Sequence, residues 1–147
     1  PEDRIHRIQS ERPDIEAVAS EYEADLLKTL GDPPIFDLVL LGMGSDGHTA
    51  SLFPNSPALK ENTRWVTIAP VGTLGGYRYT LTYPTLNHAK EVVFLVSGKA
   101  KAEILACVLE EPNNPTELPA QGITGNVHWL IDDDAASEME TPGGGNE

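Results

Sequence analysis

From Asp14 to Leu30 apolar residues return every three or four positions, at Ile15, Val18, Ala19, Tyr22, Leu26 and Leu30, with Glu16, Glu21, Glu23 and Lys28 between them. That spacing gathers the apolar set on one face of a helix, and Pro13 before it and Gly31 after it are suitable ends. The pattern then changes. Phe36-Asp37-Leu38-Val39-Leu40-Leu41 is too short for a free-standing helix and too uniformly apolar for a strand with one wet face, so it predicts a buried parallel strand. Trp65-Val66-Thr67-Ile68-Ala69 and Glu91-Val92-Val93-Phe94-Leu95-Val96 are β-rich in the same way. The second runs through Gly98 into an alanine-rich helical stretch from Lys99 to Glu110, and Val127-His128-Trp129-Leu130-Ile131 makes a last strand.

Strands alternating with helices predict an α/β fold, a doubly wound, mainly parallel sheet with helices on both faces. Ligands of such sheets bind beyond the carboxyl ends of the strands. Asp132-Asp133-Asp134 is expected to cap a short terminal helix, and the glycine-rich run from Thr141 to Glu147 reads as a frayed end. One α/β unit over residues 1–138 and a flexible tail over 139–147 is the expected organisation, without internal repeats.

Composition narrows the setting. With 147 residues, 39% of them hydrophobic and 22% charged, the chain can bury a core without disulfides. Its net charge of −13, from 23 acidic and 10 basic residues, repels polyanions, which excludes nucleic acid as a partner and demands a local basic pocket for any anionic ligand. The single cysteine, Cys107, stands among Leu105, Ala106, Val108 and Leu109 and is expected inside a packed helix. The acidic run at Asp132 reads as a solvated face rather than a metal site. Neither a signal-like apolar region nor a stretch of ~18 apolar residues is present, so a cytoplasmic protein without membrane contact is expected. A chain that opens on Pro1 is expected to be processed or cut from something longer.

Gly42-Met43-Gly44-Ser45-Asp46-Gly47 matches the dinucleotide fingerprint G-x-G-x-x-G and follows a predicted strand. Such a site wants a carboxylate ~20 residues on, at the end of the next strand. Here that strand ends in Ala69-Pro70-Val71-Gly72, and Pro54 stops the helix expected to open at Gly47. What survives is the physics of the loop: glycines allow close backbone approach, and amides at a helix start favour negative charge. His48 points to different chemistry. It is flanked by small residues, and an imidazole can accept a proton from water near neutral pH. Asp46, two residues earlier, is suited either to cap the helix or to orient a ring nitrogen.

The run Leu41-Gly42-Met43-Gly44-Ser45-Asp46-Gly47-His48-Thr49-Ala50-Ser51-Leu52-Phe53-Pro54 resembles the signature of the 6-phosphogluconolactonases. Further similarity follows at Arg78-Tyr79-Thr80-Leu81-Thr82 with Pro84 and Leu86-Asn87, at Val96-Ser97-Gly98-Lys99-Ala100-Lys101, at Leu118-Pro119-Ala120 and at Val127 to Asp132. The resemblance implies hydrolysis of 6-phospho-D-glucono-1,5-lactone with His48 as general base. It also implies a fold shared with sugar-phosphate isomerases and aminosugar-phosphate deaminases, and no metal or organic cofactor. Amides from Gly44 to Gly47 are then candidate donors to the developing oxyanion, so Gly42, Gly44 and Gly47 join the expected substrate-binding set. Arg78 is the expected guanidinium contact to phosphate. Lys101 is a second cationic contact, with Lys99 competing for the role. His6, His88 and His128 are expected to be structural or exposed.

Members of that family carry, ahead of the part matched here, strands with a glycine- and serine-rich sugar-phosphate loop, which this sequence lacks. A sheet without those amino-terminal strands exposes an apolar edge, so association through that edge is expected. Two rival readings stand beside the lactonase. One is a glucosamine-6-phosphate deaminase, whose similar loop continues into isoleucine-alanine-phenylalanine-asparagine-glutamate where Thr49-Ala50-Ser51-Leu52-Phe53 stands here. The other is an inactive sugar-phosphate-binding fragment.

Overall fold

A computed structural model of the chain describes residues 2–72 and 76–140. The first long element is helix α1, Ile15–Leu30, which buries Val18, Ala19 and Leu26 as the heptad-like spacing requires. Gly31 ends it with φ +95°, a conformation open to glycine, while its amide still bonds to the Leu27 carbonyl at 3.0 Å.

Three short strands, β1 (Val39–Leu41), β4 (Val92–Val96) and β5 (Val127–Ile131), form a parallel sheet in the order β1-β4-β5. Between β1 and β4 the chain builds an antiparallel hairpin, β2 (Val66–Pro70) with β3 (Tyr77–Leu81), and a short helix α2, Tyr83–Asn87. Helix α3, Ala102–Glu110, carries it from β4 toward β5. Val39, Leu41, Val92, Phe94 and Val96 point to one side of the parallel sheet and join Leu105 and Val108 of α3 in the main core. Phe94 and Trp129, paired across β4 and β5, stack with ring centroids 3.9 Å apart. The hairpin has its own core under α1, from Ala19, Leu26 and Val66. There the Glu23 carboxylate accepts the Trp65 and Val66 amides at 2.5 and 2.9 Å.

Among the described residues nothing covers the other side of the parallel sheet. Leu40 is 60% exposed, Leu95 51% and Leu130 58%, and these are the alternate positions of β1, β4 and β5. Strands this apolar on both faces belong to sheets covered on both sides.

Five expectations need correction. The strand expected from Phe36 begins only at Val39, because its register pairs Val39 with Val92, the first residue of β4, leaving Phe36 to Leu38 without a ladder partner. The segment Trp65 to Ala69 is a strand but an antiparallel one, in a sheet of its own; apolar content gave its conformation and said nothing of its partner. The helix expected to open at Gly47 is absent: Thr49 and Leu52 form an isolated bridge around Ala50, whose φ is +49°. Residues after β5 form successive turns instead of a capped helix, with the Ala135 amide on the Asp132 carboxylate at 2.8 Å. Cys107 is only half-buried, since α3 turns its other face to the core. The expected tail from Thr141 to Glu147 lies outside the described residues.

Candidate functional site

In a parallel sheet the carboxyl ends of all strands lie along one edge, so Gly42 after β1, Gly98 after β4 and Asp132 after β5 come to the same side of the molecule. The segment from Gly42 to Thr49 is folded back on itself there. Gly44 N–H donates to the His48 carbonyl at 2.8 Å, Gly47 N–H to the Gly44 carbonyl at 3.2 Å, and the Thr49 hydroxyl to the Gly42 carbonyl at 2.8 Å. Gly47 takes φ +78° and its carbonyl accepts the Ala120 amide at 2.9 Å, tying the loop to the turn at Pro119.

These bonds present His48 on the loop with its ring partly exposed. Asp46 Oδ1 holds it twice, accepting the backbone amide at 3.1 Å and facing Nδ1 at 2.5 Å. With no helix here to cap, the same carboxylate oxygen holds both the backbone amide and the ring nitrogen of His48. Partial burial pushes the Asp46 carboxyl up, but the bonds from the His48 amide and ring outweigh it and hold the group below its ordinary value. Phe53 supports the ring, with centroids 4.7 Å apart.

Gly44 matters for its missing side chain. A Cβ there would overlap Nδ1 and Cε1 of the His48 ring and Oδ1 of Asp46. The ring lines a cavity of about 370 Å³ together with Leu40, Leu41, Gly42, Met43, Gly44 and Ala50. On the other side of Asp46 a wider cleft of about 550 Å³ runs along Phe53, Pro54, Pro57 and Pro70.

Of the residues singled out in the sequence, His48, Asp46, Gly42, Gly44 and Gly47 stand together, and Lys101 joins them by donating from Nζ to the Met43 carbonyl at 2.8 Å. Lys99 makes no such contact among the described residues. Arg78 stands apart: it lies on β3 opposite Ala69, one position from the Pro70 wall of the wider cleft, and among the described residues its exposed guanidinium donates to the Tyr77 carbonyl alone, at 3.3 Å. The amides of Gly44 and Gly47 are engaged in closing the loop and that of Asp46 turns to its own carboxylate, while among the described residues that of Ser45 has no protein acceptor. His6, His88 and His128 bond to Asp25, the Pro84 carbonyl and Glu91, as structural residues would.

Sequence reasoning gave no role to Phe53 or Thr49, and it took Asp132 for a cap of its own segment. A support for an imidazole leaves no periodic trace, but a threonine and an aromatic close after the histidine are the signal that was available. Among the described residues no group of three or more His, Cys, Asp or Glu is disposed to hold a metal ion, and no helix is long and apolar enough to cross a membrane.

A histidine held against a carboxylate, on a loop at the carboxyl end of a parallel α/β sheet, is an arrangement suited to proton transfer on a small ligand. Comparison with known proteins makes the class specific: over residues 1–130 the chain matches the family described as glucosamine-6-phosphate isomerases/6-phosphogluconolactonase, and it belongs to that family. The 6-phosphogluconolactonase of Synechocystis sp. is 40% identical over 146 residues, 95% of this chain and 60% of the relative. The chain thus spans little more than half the length of the curated relatives it matches. A 6-phosphogluconolactonase structure from Trypanosoma brucei superposes with a TM-score of 0.78 at 30% identity, over 93% of this chain and 62% of that one. A monomeric glucosamine-6-phosphate deaminase gives 0.77 at 25% identity, over 94% and 61%. The α/β fold expected from the sequence is the fold of these neighbours.

Proposed function

We propose that the chain carries the catalytic loop of a 6-phosphogluconolactonase, hydrolysing 6-phospho-D-glucono-1,5-lactone to 6-phospho-D-gluconate in the oxidative pentose phosphate pathway, with the cytoplasm as its setting. One observation carries the reading, the 2.5 Å contact between His48 Nδ1 and Asp46. An ionised carboxylate only accepts hydrogen bonds, so Nδ1 bears the hydrogen and Nε2 is the free base.

Nε2 of His48 then takes a proton from water as the water oxygen attacks the lactone carbonyl carbon. Negative charge develops on the carbonyl oxygen, toward which the amide of Ser45 is the available donor. When the intermediate collapses, the bond from that carbon to the ring oxygen breaks, and the imidazolium returns its proton to the leaving oxygen. The products are a carboxylic acid and a hydroxyl. Lys101, and Arg78 from the β3 side, are the cations assigned to the phosphate. No cofactor enters this chemistry.

The test is His48→Ala, assayed by acid release at constant pH against the spontaneous opening of the lactone. Loss of the base is expected to slow turnover by roughly 100- to 10,000-fold. A near-full rate in a folded variant overturns the assignment of His48. An unmodified chain that binds 6-phosphogluconate without turning over lactone is instead a sugar-phosphate-binding module.

A further inference from the structure

Asp132, the first residue after β5, reaches across the sheet edge to β4. Its two carboxylate oxygens accept the Gly98 amide at 3.0 and 3.1 Å, and Oδ1 also accepts the Ala135 amide at 2.8 Å. Gly98 begins the turn after β4 with φ +88°, and its carbonyl accepts the Lys101 amide at 3.0 Å. Lys101 Nζ in turn donates to the Met43 carbonyl of the loop after β1 at 2.8 Å. One line of contacts therefore joins the carboxyl ends of β5, β4 and β1.

We propose that Asp132 is a positioning residue for the lactonase site, fixing the Gly98 turn so that the Lys101 ammonium is held at the His48 loop. The inference rests on the reading of Lys101 as a substrate contact. A glycine visits many backbone conformations at similar cost, so a turn that depends on Gly98 keeps its shape only if something outside it pins the amide. A carboxylate accepting from that amide at both oxygens does so, and the bonds from Gly98 and Ala135 hold Asp132 below its ordinary value, keeping it ionised at neutral pH. A residue that merely stabilised the turn after β5 would need only the Ala135 bond; the Gly98 bond is directed at the neighbouring strand end.

The experiment uses the full 147-residue chain and its Asp132→Ala and Asp132→Asn variants. Limiting reductive methylation, read by peptide mass spectrometry, reports the reactivity of the Lys101 amine, with Lys99 two residues away as the internal reference. Asp132→Ala is expected to raise the Lys101 to Lys99 labelling ratio several-fold. It is also expected to weaken 6-phosphogluconate binding about tenfold, the scale of losing a support behind a functional group. In a Lys101→Ala background the same substitution should cost no further affinity. Asp132→Asn keeps one acceptor oxygen and serves if the alanine variant does not fold. An unchanged labelling ratio in a folded variant, or an equal loss of affinity with and without Lys101, overturns the proposal. A raised ratio in a chain that binds no 6-phosphogluconate leaves the positioning role standing and removes the lactonase reading instead.

Discussion

Placing a single methyl group at Gly44 is the sharpest probe of the site, because it acts on His48 without altering any ionisable group. The Cβ would overlap two atoms of the imidazole and the Asp46 oxygen that holds it, so ring and carboxylate cannot both stay where they are. The backbone beneath is committed, with Gly44 N–H bonded to the His48 carbonyl at 2.8 Å, whereas the ring is partly exposed and can swing. The strain is therefore relieved by moving the imidazole off its contact with Asp46. Leaving a favoured rotamer costs about 0.5–1.5 kcal/mol. Screening by solvent limits what the broken contact adds, so total destabilisation should be about 1–2 kcal/mol, lowering the melting midpoint by a few degrees. The effect on rate is much larger. A base displaced by roughly 1 Å commonly loses about 100-fold, so Gly44→Ala should cut lactone hydrolysis at least that far. Acid release at constant pH measures the rate, and the carbon-bound ring protons of His48 in the NMR spectrum report its displacement. In a His48→Ala background the added methyl should cost little further rate, because the ring is gone and the Asp46 carboxylate that it also meets no longer has a ring to hold. A Gly44→Ala chain with an unshifted His48 ring and an undiminished rate refutes the reasoning.

Three further outcomes follow from the geometry. Asp46→Asn can still accept the His48 amide but no longer offers a charge to the ring, so turnover should fall about 10- to 100-fold with little change in melting, measured in the same assay. Asp132 has its folded value lowered by the amides of Gly98 and Ala135. Its stabilisation is therefore complete above the ordinary aspartate value near 3.9 and is lost as pH falls through the lowered one. The Gly98 amide resonance should titrate with a midpoint below the ordinary value, and a midpoint at or above it contradicts the assignment. The bare face of Leu40, Leu95 and Leu130 should drive the chain to associate at micromolar concentration, and Leu95→Lys with Leu130→Lys should reverse this in light scattering. A clean monomer of the unmodified chain runs against that expectation.

Much of the local structure was legible in the residues. The spacing from Ile15 to Leu30 requires a helix whichever way the chain folds around it, because the apolar face exists only in that conformation. The runs at Val92 and Val127 require strands by the same logic, and both are present. The site loop was legible too, since glycine, aspartate and histidine at that spacing have few uses outside chemistry. Its warrant was the sequence of the loop, and its expected helix was wrong: Thr49 spends its hydroxyl on the Gly42 carbonyl and Ala50 turns left-handed, which no residue pattern announced.

What the sequence could not determine is whatever depends on which elements meet. Period and apolarity decide conformation, a property of neighbours along the chain, so they gave β2 as a strand but not its antiparallel partner. Register and layer depend on contacts between residues far apart in sequence, and only the fold supplies those. Asp132 read as a cap for its own segment until β5 was laid beside β4, which put the Gly98 amide within reach of its carboxylate. The chain by itself therefore singled out His48 and its loop and determined the class of fold. The tertiary structure decided that one carboxylate meets both the backbone amide and the ring of that histidine, that Lys101 reaches its loop while Arg78 does not, and that among the described residues one face of the sheet is left uncovered.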